Sequence, residues 1–380
     1  MATRKAKKEN GRLRIGLVGA GAIMRLSHVP TIARSRDAVV TAVFDADATR
    51  ASALAAEAGA GRHTDRLKSL VEGEDVDAVI VATPNAFHAE AVLAAAKAGK
   101  HVLCEKPLAV DVQSAAKMVR ACERAGVVLQ VGFNQRCWTQ VEIAKALIDS
   151  GFIGKVHGFR SLNAERWDRY PAATRYRYDL KKSGGATIID LTIHRIDLAR
   201  HLVGDFSAVV ANLAHSAAPD PVDDNVWLLA RFVGGAHGSL SSDRYSPAIG
   251  DGTDIYGSEG TIHIATETVN PFHATPLAVY TDKSAKDLPD VLREAHYPDA
   301  WWKTFDGGWI GVRPPRRNPY DKQLAGFIAA IREGRPPVAS GYDGMKAQEV
   351  VQAAYLSQRD GAWVDLPLPR DAPFVVPVYG

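Results

Sequence analysis

The chain has 380 residues, of which 46% are hydrophobic and 23% charged, and a net charge of +3. That length accommodates two domains with ample core, and no apolar stretch is long enough to cross a bilayer. Residues 1–14 carry a net +5, which leaves −2 for the remainder, so no basic stripe points to nucleic acid as a partner. The basic, polar segment 1–12 reads as a flexible tail; no hydrophobic run follows it, so no secretory signal is expected. Cys104, Cys122 and Cys137 are widely spaced, and the 12 histidines form no H-E-x-x-H cluster. Reduced thiols in a cytoplasmic protein and no metal site are therefore expected.

From Leu13 to Val131 short apolar runs alternate with alanine-rich helical stretches. Strands are expected at Leu13–Val18, Val39–Phe44, Ala78–Ala82, His101–Cys104 and Val127–Val131. Helices are expected from a glycine turn to about Ser35, then over Asp47–Ala58, Ala86–Ala98 and Asp111–Ala125. Gly59, Gly99 and Gly126 stand just past three of them, where a left-handed residue closes a helix. Strand–helix alternation predicts a doubly wound parallel sheet, here residues 13–133. After residue 134 a helix (about 139–150) leads to a strand at 155–163 and a second helix at 186–202. Strand-like runs follow at 208–214, 225–232, 236–242, 252–257 and 261–264, joined by short turns. Such consecutive strands predict a separate α+β domain, 134–380, on an open, mostly antiparallel sheet. Residues 266–318 carry no clear pattern, and helices at about 320–333 and 344–357 are expected to close the second domain.

Gly19-Ala20-Gly21-Ala22-Ile23-Met24 opens a helix directly after the first strand. Gly19 permits the tight turn, Gly21 lets backbone approach a pyrophosphate, and the N–H groups up to Ala22 and Ile23 face it at the helix start. Met24 stands where a third small residue is usual and predicts looser helix–strand packing. Asp45 closes the second strand, 26 positions after Gly19. It is read either as the acceptor for the adenosine ribose hydroxyls, which favours NAD over NADP, or as a cap for the next helix, a role Asp47 fills equally well. Thr83-Pro84-Asn85 with His88 follows the expected strand Ala78–Ala82. Glu105-Lys106-Pro107 follows the expected strand His101–Cys104, at the sheet edge where ligands of such sheets bind.

With these residues in view, the chain resembles the glucose–fructose oxidoreductase/inositol dehydrogenase/rhizopine catabolism (Gfo/Idh/MocA) family. The resemblance rests on Val81–His88 and on Ala98–Leu108, with Phe133-Asn134-Gln135-Arg136 and Ser183-Gly184-Gly185 leading to Asp190 and His194. It implies an N-terminal dinucleotide domain, a C-terminal domain on an open sheet, and oxidation or reduction of a secondary alcohol of a sugar or cyclitol with a nicotinamide. It maps catalytic roles onto Lys106, Asp190 and His194. Cofactor contacts are expected from Gly19, Gly21, Ala22, Ile23, Asp45, Thr83, Pro84, Asn85, His88, Glu105 and Lys106. Asn134, Arg136, Arg166 and Trp167 are the expected sugar contacts. Two departures stand out: Ser183 replaces the first of three glycines, and Thr192 replaces a frequent glycine and is expected to add bulk near the site.

Asp190 and His194 lie four apart and share a helix face, which continues through Asp197 and His201. By itself that stripe reads as the solvated side of an amphipathic helix; Gly184 and Gly185 just before it turn the reading toward a cleft. As a site, His194 accepts a hydroxyl proton, Asp190 supports the charge and Lys106 holds the same oxygen; Lys106 and His194 share the base role. The leading expectation is an NAD-dependent sugar or cyclitol dehydrogenase. Two others remain: glycosidic cleavage through transient sugar oxidation, and a non-catalytic nucleotide-sensing regulator. The open sheet face predicts a homo-dimer or homo-tetramer.

Overall fold

The computed structural model describes residues 11–165, 176–218, 221–246, 251–265, 275–296 and 305–376. They divide into two compact units, one lying within residues 11–137, 176–184 and 318–348, the other within the described parts of 138–165, 185–317 and 349–376.

In the first unit, β1 (Leu13–Val18), β2 (Ala38–Phe44), β3 (Arg62–Thr64), β4 (Ala78–Val81), β5 (His101–Cys104) and β6 (Leu129–Val131) make a parallel sheet in the order 3-2-1-4-5-6. The chain reverses its winding between β1 and β4, so the carboxyl ends of these strands frame a crevice. All four residues of β4 are buried, as expected of a strand covered on both faces. Helix α1 (Val29–Arg34) is preceded by a π turn over Met24–His28 rather than by one regular helix. Pro30 lacks the N–H that would continue a regular ladder, and wider turns occur at such interruptions. Helix α2 (Ala48–Ala58) is capped by Asp47, which accepts from the N–H groups of Thr49 and Arg50, and is closed by left-handed Gly59. Helices α3 (Leu67–Val71), α4 (His88–Lys97) and α5 (Val112–Ala125) complete the alternation, and Asp111 and Gly126 cap α5.

One helix sits differently from the expected boundary. Numbering on through α6 (Thr139–Asp149), α7 (Leu180–Ser183), α8 (Ile193–Leu202) and α9 (Asp290–His296), helix α10 covers Pro319–Glu333. Its Leu324, Phe327 and Ile328 join the core around Ile15, Leu17 and Met24 of the first unit. Burying each of these side chains stabilises by roughly 1.5–3 kcal/mol. Their i, i+3, i+4 spacing shows that the helix has an apolar face but not which sheet that face covers.

Among the described residues the second unit is built on nine strands in the order β14-β13-β12-β11-β7-β10-β9-β8-β15. They are β7 (Val156–Ala164), β8 (Phe206–Ala214), β9 (Asn225–Phe232), β10 (His237–Asp243), β11 (Gly252–Gly257), β12 (Gly260–Ala265), β13 (Leu277–Ser284), β14 (Asp306–Val312) and β15 (Val364–Asp365). All neighbours are antiparallel except β7 and β10. Strands β13 and β14 fall in the stretch where the sequence carried no clear pattern. Gly307 and Gly308 adopt positive φ at the start of β14, and glycine weakens a strand's alternation signal. Helices α6 and α8 pack on each other and on β12 and β7. Along β9, Val226, Leu228 and Ala230 are buried, whereas Trp227 and Leu229 on the other face are 60% and 53% exposed.

Candidate active site

At the switch point of the first unit the glycine turn is fixed by contact with β4. Gly19 has φ +97°, and a Cβ there would lie 2.8 Å from the Ala82 carbonyl oxygen. Gly21 faces open space apart from that oxygen at 3.9 Å, as the approach of a ligand to the backbone requires. Asp45 is buried; it accepts from the Ala20 N–H (2.8 Å), the Asp47 N–H (2.9 Å) and Arg50 Nη2 (2.9 Å). Asp47, not Asp45, caps the following helix. A carboxylate has about four lone-pair sites, so Asp45 keeps acceptor capacity for a ribose hydroxyl. Thr83 Oγ1, at the end of β4, is buried without a protein partner. The cradle, the carboxylate and this hydroxyl fit a bound dinucleotide. Met24 is 0% exposed within the core, so the expected loosening of packing does not occur; its flexible side chain fills the space.

Asn85 and His88 brace the crevice from within. Asn85 is buried and donates through Nδ2 to the Ser183 carbonyl at 2.8 Å, and it caps no helix. His88 is buried between the carbonyl oxygens of Pro107 (2.8 Å from Nδ1) and Thr83 (2.9 Å from Nε2). Burial pushes its pKa below the ordinary imidazole value, and the two carbonyl contacts act against that fall. His88 thus joins the Thr83 loop to the Lys106–Pro107 step, whose peptide bond is cis. Around that step Leu103–Glu105 and Pro107–Ala109 are buried, and Lys106 is partly exposed.

Glu105 turns inward, its Oε1 2.8 Å from Nε2 of buried His28. The Tyr320 ring meets His28 edge-on at 5.5 Å. Burial and the Glu105 charge push the Tyr320 phenol well up, while its hydrogen bonds with Ser27 and Asn134 act against that rise. A Cβ on Gly132 would lie 2.8 Å from Glu105 Oε2, so a larger residue there would have to displace the carboxylate. Arg136 is buried, 3.2 Å from Asp343 Oδ1 and donating to the Val338 carbonyl at 3.2 Å. Its guanidinium is engaged in holding the chain together. Arg166 and Trp167 lie outside the described residues.

In the second unit, a π turn over Ile188–Thr192 carries Asp190 and runs into α8, which carries His194. The two residues remain on one face, since about 4.4 residues make a turn of this wider kind. Gly185 has φ +152°, and a Cβ there would collide with the Tyr355 hydroxyl; only glycine holds this conformation readily. Asp223 closes the amino end of the π turn. Its carboxylate accepts from the N–H groups of Ala186 (3.2 Å) and Ile188 (2.8 Å) and from the Tyr355 hydroxyl (3.3 Å). Burial pushes the Asp223 pKa up to about 6 despite those bonds. Asp190 is paired with buried Arg244, Nη2 to Oδ2 at 2.5 Å, and Arg244 Nη1 lies 3.6 Å from Glu165 Oε1.

Two expectations about this helix change. Thr192 is 0% exposed, with its hydroxyl 3.5 Å from the Thr187 carbonyl, so its bulk points into the core. The polar stripe is not a fully solvated side: Asp197 is 1% exposed, and Asp190, His194 and His201 are partly buried. Sequence reading missed Arg244, Glu165 and Asp223. No spacing marks them, because each acts across 25 or more residues of intervening chain. The cysteines among the described residues are free and buried. Burial raises the Cys104 thiol pKa, and that of Cys122 to about 11, so neither is an active nucleophile.

Comparison with known proteins places this geometry in a family. Residues 13–133 match the model described as oxidoreductase family, NAD-binding Rossmann fold, and residues 141–263 match the Gfo/Idh/MocA C-terminal domain. The chain is 31% identical over 337 residues to 1,5-anhydro-D-fructose reductase of Ensifer adhaerens, covering 87% of this chain and 92% of that one. It is 29% identical over 351 residues to inositol 2-dehydrogenase of Rhizobium meliloti, covering 91% and 96%. A solved levoglucosan dehydrogenase in complex with NADH superposes with a TM-score of 0.80 at 27% identity, covering 94% of this chain and 99% of that one. The chain belongs to the Gfo/Idh/MocA family of NAD-binding oxidoreductases and is a nicotinamide-dependent dehydrogenase or reductase acting on CH–OH groups.

Proposed function

We propose that this enzyme interconverts a secondary alcohol and a ketone on a sugar, sugar derivative or cyclitol, using NAD. The observation that carries the reading is the partial exposure of Lys106 within an otherwise buried stretch at the carboxyl end of β5, the edge at which a dinucleotide binds such a sheet. The named activities of the relatives, an anhydro-sugar reductase and an inositol dehydrogenase, support the substrate class.

In the oxidising direction the alcohol carbon gives up a hydride and its oxygen a proton. When bound, the nicotinamide supplies the hydride acceptor. Lys106 donates a hydrogen bond to the alcohol oxygen and favours its developing negative charge. His194 accepts the proton, and the Asp190 carboxylate favours the imidazolium that results. Gly19, Gly21, Ala22 and Ile23 hold the pyrophosphate by backbone, and Thr83, Pro84 and Asn85 shape the nicotinamide end. Asp45 accepts from the adenosine ribose and disfavours a 2′-phosphate, hence NAD over NADP. His88 and Glu105 act from behind, by fixing the Lys106 step. Asn134 is the sugar contact kept from the sequence reading; Arg136 acts through its pair with Asp343.

The exposed face bearing Trp227 and Leu229 supports a homo-oligomer, with this face covered by a second copy; light scattering of the purified chain tests it. The buried free thiols suit a reducing cytoplasm. For the activity, myo-inositol and levoglucosan with NAD and NADP, and 1,5-anhydro-D-fructose with NADH, are followed by absorbance of the reduced cofactor. Turnover with at least one supports the reading. Tight NADH binding without turnover of any polyol or sugar contradicts it in favour of a sensor. Cleaved glycoside without net NADH contradicts it in favour of transient oxidation.

A further inference from the structure

Strands β7 and β10 are the one parallel pair in the second sheet among the described residues, so their carboxyl ends lie side by side. Glu165 follows β7 and Arg244 follows β10. Their backbones are fixed there, Glu165 N–H to the Asp243 carbonyl at 2.9 Å and Arg244 N–H to the Asp224 carbonyl at 3.0 Å. The Arg244 side chain is 2% exposed and reaches the Asp190 carboxylate at 2.5 Å and Glu165 at 3.6 Å. Its positive charge also favours the ionised form of Asp223. One buried guanidinium therefore faces two carboxylates, Asp190 and Glu165, beside the helical segment that carries Asp190 and His194. Two neighbouring acids are already held elsewhere. Asp243 accepts from the N–H groups of Tyr245 and Ser246 and from Asn225 Nδ2, and Asp251 pairs with Arg195.

A carboxylate this close to the interior, left unpaired, would take up a proton or swing away. The planar guanidinium prevents both, because its fork fixes direction as well as charge. We propose that Arg244 is a positioning residue: it holds Asp190 as an ionised, oriented carboxylate on the face shared with His194. It does so without touching substrate, and Glu165 steadies its other arm. The inference rests on the role for Asp190 given under Proposed function.

The test uses the full chain, with whichever of myo-inositol, levoglucosan or 1,5-anhydro-D-fructose gives turnover. Asp190→Asn, Arg244→Gln, Arg244→Lys and both double variants with Asp190→Asn are compared in kcat, KM, NADH affinity by fluorescence, and thermal unfolding. Loss of a buried charge-assisted pair should lower kcat of Arg244→Gln roughly 10- to 100-fold with NADH affinity unchanged. Arg244→Lys, which keeps the charge, should recover part of that loss, and neither double variant should fall below Asp190→Asn alone. If Arg244→Gln does not fold, the Lys pair completes the same cycle. Losses that multiply in the double variants, or a loss confined to KM and melting temperature, overturn the proposal while leaving the role of Asp190 intact. A wild-type kcat in Asp190→Asn overturns that role itself, and the proposal with it.

Discussion

The ligand edge of the first unit and the Asp190 helix of the second are built by different physics. The first is made of backbone: a left-handed glycine, N–H groups at a turn, and carbonyls clamped by His88. The second is made of buried charge: Arg244 among carboxylates, and Asp223 bonded to the N–H groups of a π turn. The backbone part of the first site depends on local conformation and is tuned to shape, with its charged groups, Asp45 and the Glu105–His28 pair, set beside that cradle. A buried-charge site depends on residues far apart in the chain, and its energy changes whenever one of them is neutralised.

The sharpest way to break the comparison is to remove the one reactive side chain at the backbone edge. Lys106→Met should lower kcat by about 10²–10³-fold, the usual worth of one oriented donor to a developing negative charge, while circular dichroism and melting temperature stay near wild type. Next is the conformational lock of the charged half. Gly185→Ala must abandon φ +152° or displace the Tyr355 hydroxyl, and should cost roughly 2–4 kcal/mol in urea unfolding.

The third prediction concerns pH. The folded Asp223 pKa of about 6 exceeds the ordinary 3.8. The native state therefore binds more protons than the unfolded chain between those values, and stability from this group falls as pH rises through that window. Asp75 and Asp254 have lowered pKa values, through pairs with Arg62 and with His263 and Arg160, and tilt the curve the other way at lower pH. Only the difference from a variant isolates Asp223. Relative to Asp223→Asn, wild-type stability should decline by roughly 2 kcal/mol between pH 4 and 7. A flat difference would mean that the carboxylate is better solvated than its burial implies. The smallest effect is at the cofactor edge: Asp45→Ala should raise NADPH affinity relative to NADH by about 10-fold, as read by fluorescence titration.

The same contrast explains what could be read in advance. Gly19, the strand run Ala78–Val81, and the caps Asp47, Gly59 and Gly126 are local signals, and each adopts the geometry its residue type demands. Met24 misled because the fingerprint describes residue size, whereas the core accepts any side chain that fills its space. Thr192 misled because sequence distance from Asp190 does not say which way a side chain points out of a π turn. Helix α10 carried a clear apolar stripe with no mark of the sheet it covers. Arg244, Glu165 and Asp223 were illegible for the deepest reason: a buried ion pair is defined by its partner, and nothing in local spacing announces one.

The central claim is that binding of the dinucleotide and handling of the hydroxyl proton reside in different residues. His194→Ala tests it most directly, with NADH affinity and steady-state turnover measured on the same preparation. The account predicts a kcat lowered by at least about 100-fold with NADH affinity within about twofold of wild type. Equal losses in affinity and turnover would contradict it.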